Sequence, residues 1–276
     1  MAFVNAKLIL HRVTGLSAFK LLLLTARSSR PSLAAFCNIL LRPFIRNNEI
    51  EIAYRQANRP LFVDLRMGDL ESDLHSMLEV VIRNAYSLNP SFRADLVIDG
   101  GANIGLFSLQ AAAVYPSAKI IVCEPLPRNI AQIEKHLARN HVEAKILPTC
   151  IGGSHRTIPF YCRGANASSF DADKPFDSVL HIDVLPLAGV LGPRAAKRIL
   201  IKLDIEGMEI ESLESYVAQE QRAVIIFCEL HGHREHRSTM EKLFSDHGWS
   251  FRLGDDLSGE DAIFEARSPA ADALSQ

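Results

Sequence analysis

The sequence predicts an α/β fold, a doubly wound and mostly parallel sheet flanked by helices, and three observations lead there. From residue 96 onward, apolar β-branched runs alternate with stretches whose apolar residues recur at helical spacing, the pattern of parallel strands joined by crossover helices. The first run, Leu96-Val97-Ile98, ends in Asp99-Gly100-Gly101-Ala102-Asn103-Ile104-Gly105 just before a helix opens. The second run, Lys119-Ile120-Ile121-Val122-Cys123, ends in Glu124-Pro125 about 25 residues after the first acid, where doubly wound folds carry an acid at a strand tip.

The elements follow in order. Residues 1–60 read as a basic, helical extension, with leucines and phenylalanines between the charges and a break around Ser28-Ser29-Arg30-Pro31. Residues 1–48 hold seven Lys and Arg and no acid, so the rest of the chain carries all 32 acids. Such a head is expected either to cap the main domain or to touch a membrane surface as an amphipathic basic helix. Its leucine run, broken by Lys20, is too short to span a bilayer, and no convincing cleavage site follows it. Residues 61–95 read as a lead-in segment that roofs the site, a strand at Leu61-Phe62-Val63-Asp64-Leu65 and then Met77, Leu78, Val81 and Ile82 at helical spacing. The main domain is placed at 96–268. Its further strands are 145–151, 198–203 and 223–228, with an antiparallel edge pair near 250–253 and 262–265. Its helices follow Pro127 (Ile130, Ile133, Leu137), follow Gly207 (Ile210, Leu213, Val217), and carry Met240, Leu243 and Phe244. Residues 269–276 are left as a tail.

The first turn points to a cofactor. Asn103 stands where the dinucleotide fingerprint needs its second glycine, so the turn is not built for a pyrophosphate. A cofactor with a charged amino acid end and no phosphate fits it better, and S-adenosylmethionine is the expected one. Asp99, Gly100, Gly101, Ala102, Asn103 and Gly105 make the first side of its pocket. Glu124, with Pro125 ending the strand behind it, is expected to face the crevice and hold the ribose. Ile151, Gly152 and Ser169 complete the cofactor set, Ser168-Ser169 being placed on a loop.

Methyl transfer from a sulfonium needs in-line alignment and a base for the acceptor proton. Asp204 ends an apolar strand and Glu206 follows it; Glu229 ends the next strand and His231 follows that. These four are the catalytic candidates, with Asp204 the first choice as base or acceptor-orienting group and His231 the alternative. Asp204 and Glu206 also suit the N-terminus of the helix after them. Lys202, inside an apolar strand, needs a carboxylate partner. A divalent metal is possible but not favoured: His231-Gly232-His233 with His236 invites one, Asp204 and Glu229 could complete it, yet no H-E-x-x-H helix is present and no metal ligand is assigned.

Composition excludes other classes. An acidic catalytic body lacks the broad basic surface that phosphate contacts need, and no N-P-P-Y type segment follows the central strand, so nucleic acid is not an expected partner. Cys37, Cys123, Cys150, Cys162 and Cys228 form no C-x-x-C pair and read as reduced residues of a cytoplasmic protein.

Taken together, Val97-Ile98-Asp99-Gly100-Gly101-Ala102-Asn103-Ile104-Gly105, Cys123-Glu124-Pro125, Ser168-Ser169 and Ile201-Lys202-Leu203-Asp204-Ile205-Glu206-Gly207-Met208-Glu209 resemble the FkbM family of methyltransferases. The resemblance implies a class I, Rossmann-like fold that binds S-adenosylmethionine and methylates hydroxyl oxygens, often on sugars or polyketide products. The expected acceptor is therefore a saccharide or related small molecule. Gly100 departs from the family, where valine or a similar residue is common. A non-catalytic module of a membrane-associated glycan assembly system and a nicotinamide-dependent oxidoreductase are the competing expectations.

Overall fold

The computed structural model describes residues 45–46, 49–163, 167–169, 176, 178–192, 196–256 and 261–274. Most of the basic head, including Cys37, therefore lies outside the described residues.

The chain enters through β1 (Ile45–Arg46), β2 (Glu49–Gln56) and β3 (Arg59–Arg66), which form a three-stranded antiparallel sheet. This corrects the expectation of helix up to residue 60. Glu49-Ile50-Glu51-Ile52 alternates polar and apolar, and Ile50 and Ile52 are buried while Glu51 is exposed, the period of a strand. The turn between β2 and β3 places Ala57 and Asn58 at φ of 47° and 65°, the left-handed geometry that a two-residue hairpin needs. Helix α1 (Leu70–Ser76) follows and runs on into a π-helical turn over Met77–Ile82.

The main sheet has seven strands: β4 (Leu96–Gly100), β5 (Lys119–Cys123), β6 (Lys145–Leu147), β11 (Arg198–Leu203), β12 (Ala223–Leu230), β13 (Ser250–Asp256) and β14 (Ala262–Arg267). Their spatial order is β13-β14-β12-β11-β4-β5-β6, all running the same way except β14, which pairs antiparallel with both β12 and β13. That is the expected class I, Rossmann-like arrangement with its antiparallel edge hairpin. Strand order reverses between β4 and β11, so the crevice for a ligand opens beyond Gly100 and Leu203.

The period of two sorts each strand between two cores. Val97, Leu200, Ile225 and Phe227 face a layer containing β2, β3, α1, α2 (Leu106–Val114) and α3 (Pro127–Arg139). Ile98, Ile199, Ile201, Val224 and Ile226 face α5 (Glu209–Val217), α6 (His233–Asp246) and a second sheet. That second sheet was not expected. It consists of β7 (Thr149–Gly152), β8 (Arg156–Arg163), β9 (Ala167–Ser169) and β10 (Ser178–Pro186), ordered β7-β10-β8-β9, with α4 (Leu187–Leu191) after it. The strand expected at 145–151 is thus two strands in two sheets, broken at Pro148, which has no N–H to continue a ladder. Ser169 lies on β9, paired with Tyr161, and not on a loop. The supposed tail is also structured: Ser268 caps α7 (Pro269–Ala273) through the Ala271 N–H, and Ala271 is buried.

Cys123, Cys150 and Cys228 are buried and free, and Cys162 is half-buried and free. Among the described residues no helix is long and apolar enough to cross a membrane.

Candidate functional site

The tip of β4 and the turn after it are shaped by close approach to β11. Gly101 has φ of 68°, and a Cβ there would lie 1.7 Å from the Asp204 carbonyl oxygen, so only glycine fits. Asp204 N–H donates to Gly100 O at 3.1 Å, clipping the two strand tips together. Gly100 itself faces Ile151, whose Cδ1 would stand 2.8 Å from an added Cβ. Ile151 thus fills the space a valine would take. Gly152, next along β7, is packed against Val184 and Glu211, so both residues build the wall behind the tip. Gly105, at φ of 80°, lies against Ile133 and starts α2.

The main-chain donors of this turn are committed. Gly101 and Ala102 N–H both donate to Cys123 O, at 3.0 and 3.2 Å, and Asn103 N–H donates to Glu124 Oε2 at 2.9 Å. The Asn103 amide donates to Ser76 Oγ at 2.7 Å, bringing α1 onto the turn. A second tie comes from His136, fully buried on α3. Its Nε2 accepts from Asp64 N–H at 2.9 Å, so its Nδ1–H donates to Ile104 O at 2.8 Å. Burial pushes its pKa down, which keeps the ring neutral.

Both strand-tip acids depart from the expected open posture. Asp99 is fully buried: its Oδ2 accepts from Ser108 N–H at 3.1 Å and Ser108 Oγ at 2.6 Å, holding the first turn of α2. Its Oδ1 makes no hydrogen bond among the described residues and lies 3.7 Å from Lys202 Nζ. Glu124 is 4 % exposed, and accepts from Asn103 N–H, Leu126 N–H (3.0 Å) and Asn129 Nδ2 (3.1 Å). Burial raises its carboxyl to about 7 against those hydrogen bonds. Pro125 follows it and ends β5 as expected.

Lys202, 4 % exposed, joins the two halves of the site. Its ammonium donates to Gly101 O at 2.6 Å and Gly100 O at 3.2 Å, meets Asp204 Oδ2 at 3.4 Å, and stands over the Tyr86 ring at 5.8 Å. Burial works against that charge, but the carboxylates of Asp204, Asp99 and Glu79 raise its pKa overall, so it stays protonated.

Beyond it lie the four catalytic candidates. Asp204, 29 % exposed in its side chain, is the carboxylate at the crevice mouth. Glu206 has φ of 57°, and desolvation together with the Asp204 charge pushes its carboxyl up to about 7. Glu229 is raised to about 9, first by desolvation and then by Asp204 and Glu79. One oxygen of Asp204, one of Glu206 and one ring nitrogen of His231 all lie within 4.8 Å of one another. Neither Asp204 nor Glu206 caps the following helix. The start of that helix has no side-chain cap; Glu209, which sequence reasoning left without a role although it stands in the same segment, instead ties down the loop before it. Its Oε1 accepts from Gly207 N–H at 3.1 Å and Ile205 N–H at 3.3 Å, and pairs with His231 Nδ1 at 2.9 Å. Burial would lower the His231 pKa, but the Glu209 hydrogen bond and the neighbouring carboxylates raise it to about 10. Of the other histidines considered, His236 does not belong to this group among the described residues, and the His233 side chain lies outside them.

A hollow of about 1010 Å³ opens at the opposite, amino-terminal end of the parallel strands, beside Asp95, Lys119 and Lys145. Open sheets bind ligands at the other end, where the acids above converge.

The methyltransferase FkbM domain matches residues 99–251. Methyltransferase 1 of Beauveria bassiana (strain ARSEF 2860) is 25 % identical over 158 residues, covering 49 % of this chain and 64 % of that protein. Methyltransferase sdnD of Sordaria araneosa is 30 % identical over 152 residues, covering 43 % and 59 %. The chain thus spans less than two thirds of the curated relatives it matches. Among solved structures, the methyltransferase FkbM from Methylobacillus flagellatus KT aligns at 15 % identity with a TM-score of 0.45, over 72 % of this chain and 54 % of that one.

Proposed function

This chain belongs to the FkbM methyltransferase family, and on that premise we propose that it transfers a methyl group from S-adenosylmethionine to a hydroxyl of a saccharide or related small molecule. The observation that carries the choice of cofactor is the disposition of donors and acceptors around the first turn. The amides of Gly101, Ala102 and Asn103 are committed to Cys123 O and Glu124, so the turn offers no nest for a phosphate. Carboxylates stand there instead, at Asp99, Glu124 and Asp204. They suit a ligand bearing hydroxyl donors and positive charge, and oppose the pyrophosphate of a nicotinamide cofactor.

When bound, the sulfonium supplies an electrophilic methyl group. Glu124 is the group to hold the ribose: a carboxylate has about four lone-pair directions, and three are taken by its own loop. Asp99 acts from inside, fixing α2 and Lys202. Asp204 orients the acceptor hydroxyl and takes its proton, since it is a partly exposed carboxylate held at the strand tip by Lys202. His231, the alternative base, holds a proton of its own through neutral pH and has no lone pair free to accept another. The acidic body supports a small neutral acceptor over a nucleic acid.

Incubation with labelled S-adenosylmethionine and a panel of hydroxylated acceptors tests the reading through release of S-adenosylhomocysteine. Asp204→Asn is expected to lower turnover by about 10² to 10⁴ while S-adenosylhomocysteine still binds. Calorimetry that finds NADH binding tighter than S-adenosylhomocysteine defeats it.

A further inference from the structure

We infer that Asp204, Glu206 and His231 form a site for one divalent cation of the Mn²⁺ class, a deepening that rests on the reading of this crevice as the acceptor pocket. Three side chains from the tips of two neighbouring strands each present one ligand atom, all within 4.8 Å of one another. Oxygen and nitrogen ligands about 2.0–2.2 Å from a shared centre lie at most about 4.4 Å apart, so small side-chain rotations close the set.

The group differs from a plain acidic patch in containing an imidazole whose second nitrogen is already held. His231 Nδ1 pairs at 2.9 Å with Glu209, which lies outside the three and is itself 2 % exposed. Glu209 in turn is fixed by the Ile205 and Gly207 N–H groups. A buried carboxylate behind the ring is the usual support of a metal-bound histidine, because it sets the ring's orientation and leaves Nε2 as the ligand. His231 Nε2 stands 3.9 Å from Glu206 Oε2, beyond hydrogen-bond range, so the pair is directed at common space without being joined.

The Lys202 ammonium, 3.4 Å from Asp204 Oδ2, also donates to the carbonyls of Gly100 and Gly101, so Asp204 does not hold it alone. Two carboxylates and one imidazole suit Mn²⁺ better than the softer ions that thiolates select, and three protein ligands leave positions open on an octahedral ion. An acceptor hydroxyl bound in one of them would lose its proton more readily, as metal-bound water does, the proton passing to the Asp204 oxygen that does not hold the ion. Binding exchanges the Nε2 proton of His231 for the ion.

The test is titration of the full chain with Mn²⁺ alone, without cofactor or acceptor, following loss of the free-ion electron paramagnetic resonance signal. One equivalent is expected to bind. Glu206→Gln and His231→Ala are each expected to weaken it at least tenfold, and Glu209→Gln, which touches only the ring's far nitrogen, by about 10- to 100-fold. Circular dichroism checks that each variant folds, and Glu206→Gln, on a half-exposed residue, is the variant least able to disturb the core. Absence of Mn²⁺ binding, or binding unchanged in Glu206→Gln and His231→Ala, overturns the site. Methyl transfer that proceeds unaltered with a chelator present overturns the part given to the ion in activating the acceptor. Mn²⁺ bound by these residues in a chain that transfers no methyl group upholds the site and removes only the reading of its use.

Discussion

Replacing Lys202 by methionine removes a side chain that touches both the cofactor turn and the proposed acceptor acid. Methionine keeps most of the volume, so the loss is electrostatic. Asp99 is fully buried, and without the ammonium at 3.7 Å its charge is answered, among the described residues, by the two hydrogen bonds from Ser108. Gly100 and Gly101 also lose their shared donor. Breaking a buried pair by removing one partner costs about 3–5 kcal/mol, a large part of the 5–15 kcal/mol that holds a typical domain together. Urea unfolding followed by circular dichroism at neutral pH measures it, and S-adenosylhomocysteine affinity should fall as the turn loosens. The double variant Lys202→Met, Asp99→Asn should recover part of the loss, because a neutral amide tolerates burial where a lone carboxylate does not. A single-variant loss under about 1 kcal/mol, or a double variant as unstable as the sum of both singles, refutes the pairing.

Gly101→Ala should abolish cofactor binding and destabilise the fold beyond the roughly 1 kcal/mol of a left-handed alanine, since its Cβ would overlap the Asp204 carbonyl; calorimetry and thermal melting read both effects. Glu124 predicts a pH dependence of stability. Its folded pKa of about 7 lies above its ordinary 4.5, so between those values the native chain keeps a proton that the unfolded chain has lost, and stability falls as pH rises through that window. The contribution reaches about 3 kcal/mol at most, and comparing urea midpoints of the native chain and Glu124→Gln from pH 4.5 to 8 isolates it; parallel curves refute it. Asp73→Asn should cost about 2–4 kcal/mol in the same unfolding assay, because the fully buried Asp73 carboxylate accepts from Arg66 N–H, Nε and Nη2, and the amide loses that ion pair.

The parallel strands were legible because they are buried on both faces and so read as unbroken apolar runs ended by an acid. The hairpin β2–β3 was not, because its turn uses Ala57-Asn58 where Asn-Gly would have announced it, and because Arg55 and Arg59 continue the basic texture of the head. The second sheet hid for a related reason: Pro159 argues against a strand. Among the described residues β9 pairs with Tyr161–Arg163, and the strand partner of Pro159 is His181 of β10. At the site, spacing located Asp99 and Glu124 at strand tips but not the direction of their side chains. Glu209 was visible as an acid in a helix first turn, where the macrodipole explains it without reference to a histidine 22 residues on.

What the period of two did carry is the coupling between halves of the site. Register sets Lys202 directly beside Asp99 across the β4–β11 ladder, and the same face of β11, two residues on, brings Asp204 to the crevice. A one-residue slip would turn all three to the opposite core. The cofactor turn is therefore locked to β11 twice, by the Asp204 amide on Gly100 O and by the Lys202 ammonium on Gly101 O, so the acid proposed to meet the acceptor cannot move independently of the turn proposed to hold the donor. On the proposed reading, strand register therefore contributes to the alignment of donor and acceptor, where much of the rate of a displacement resides.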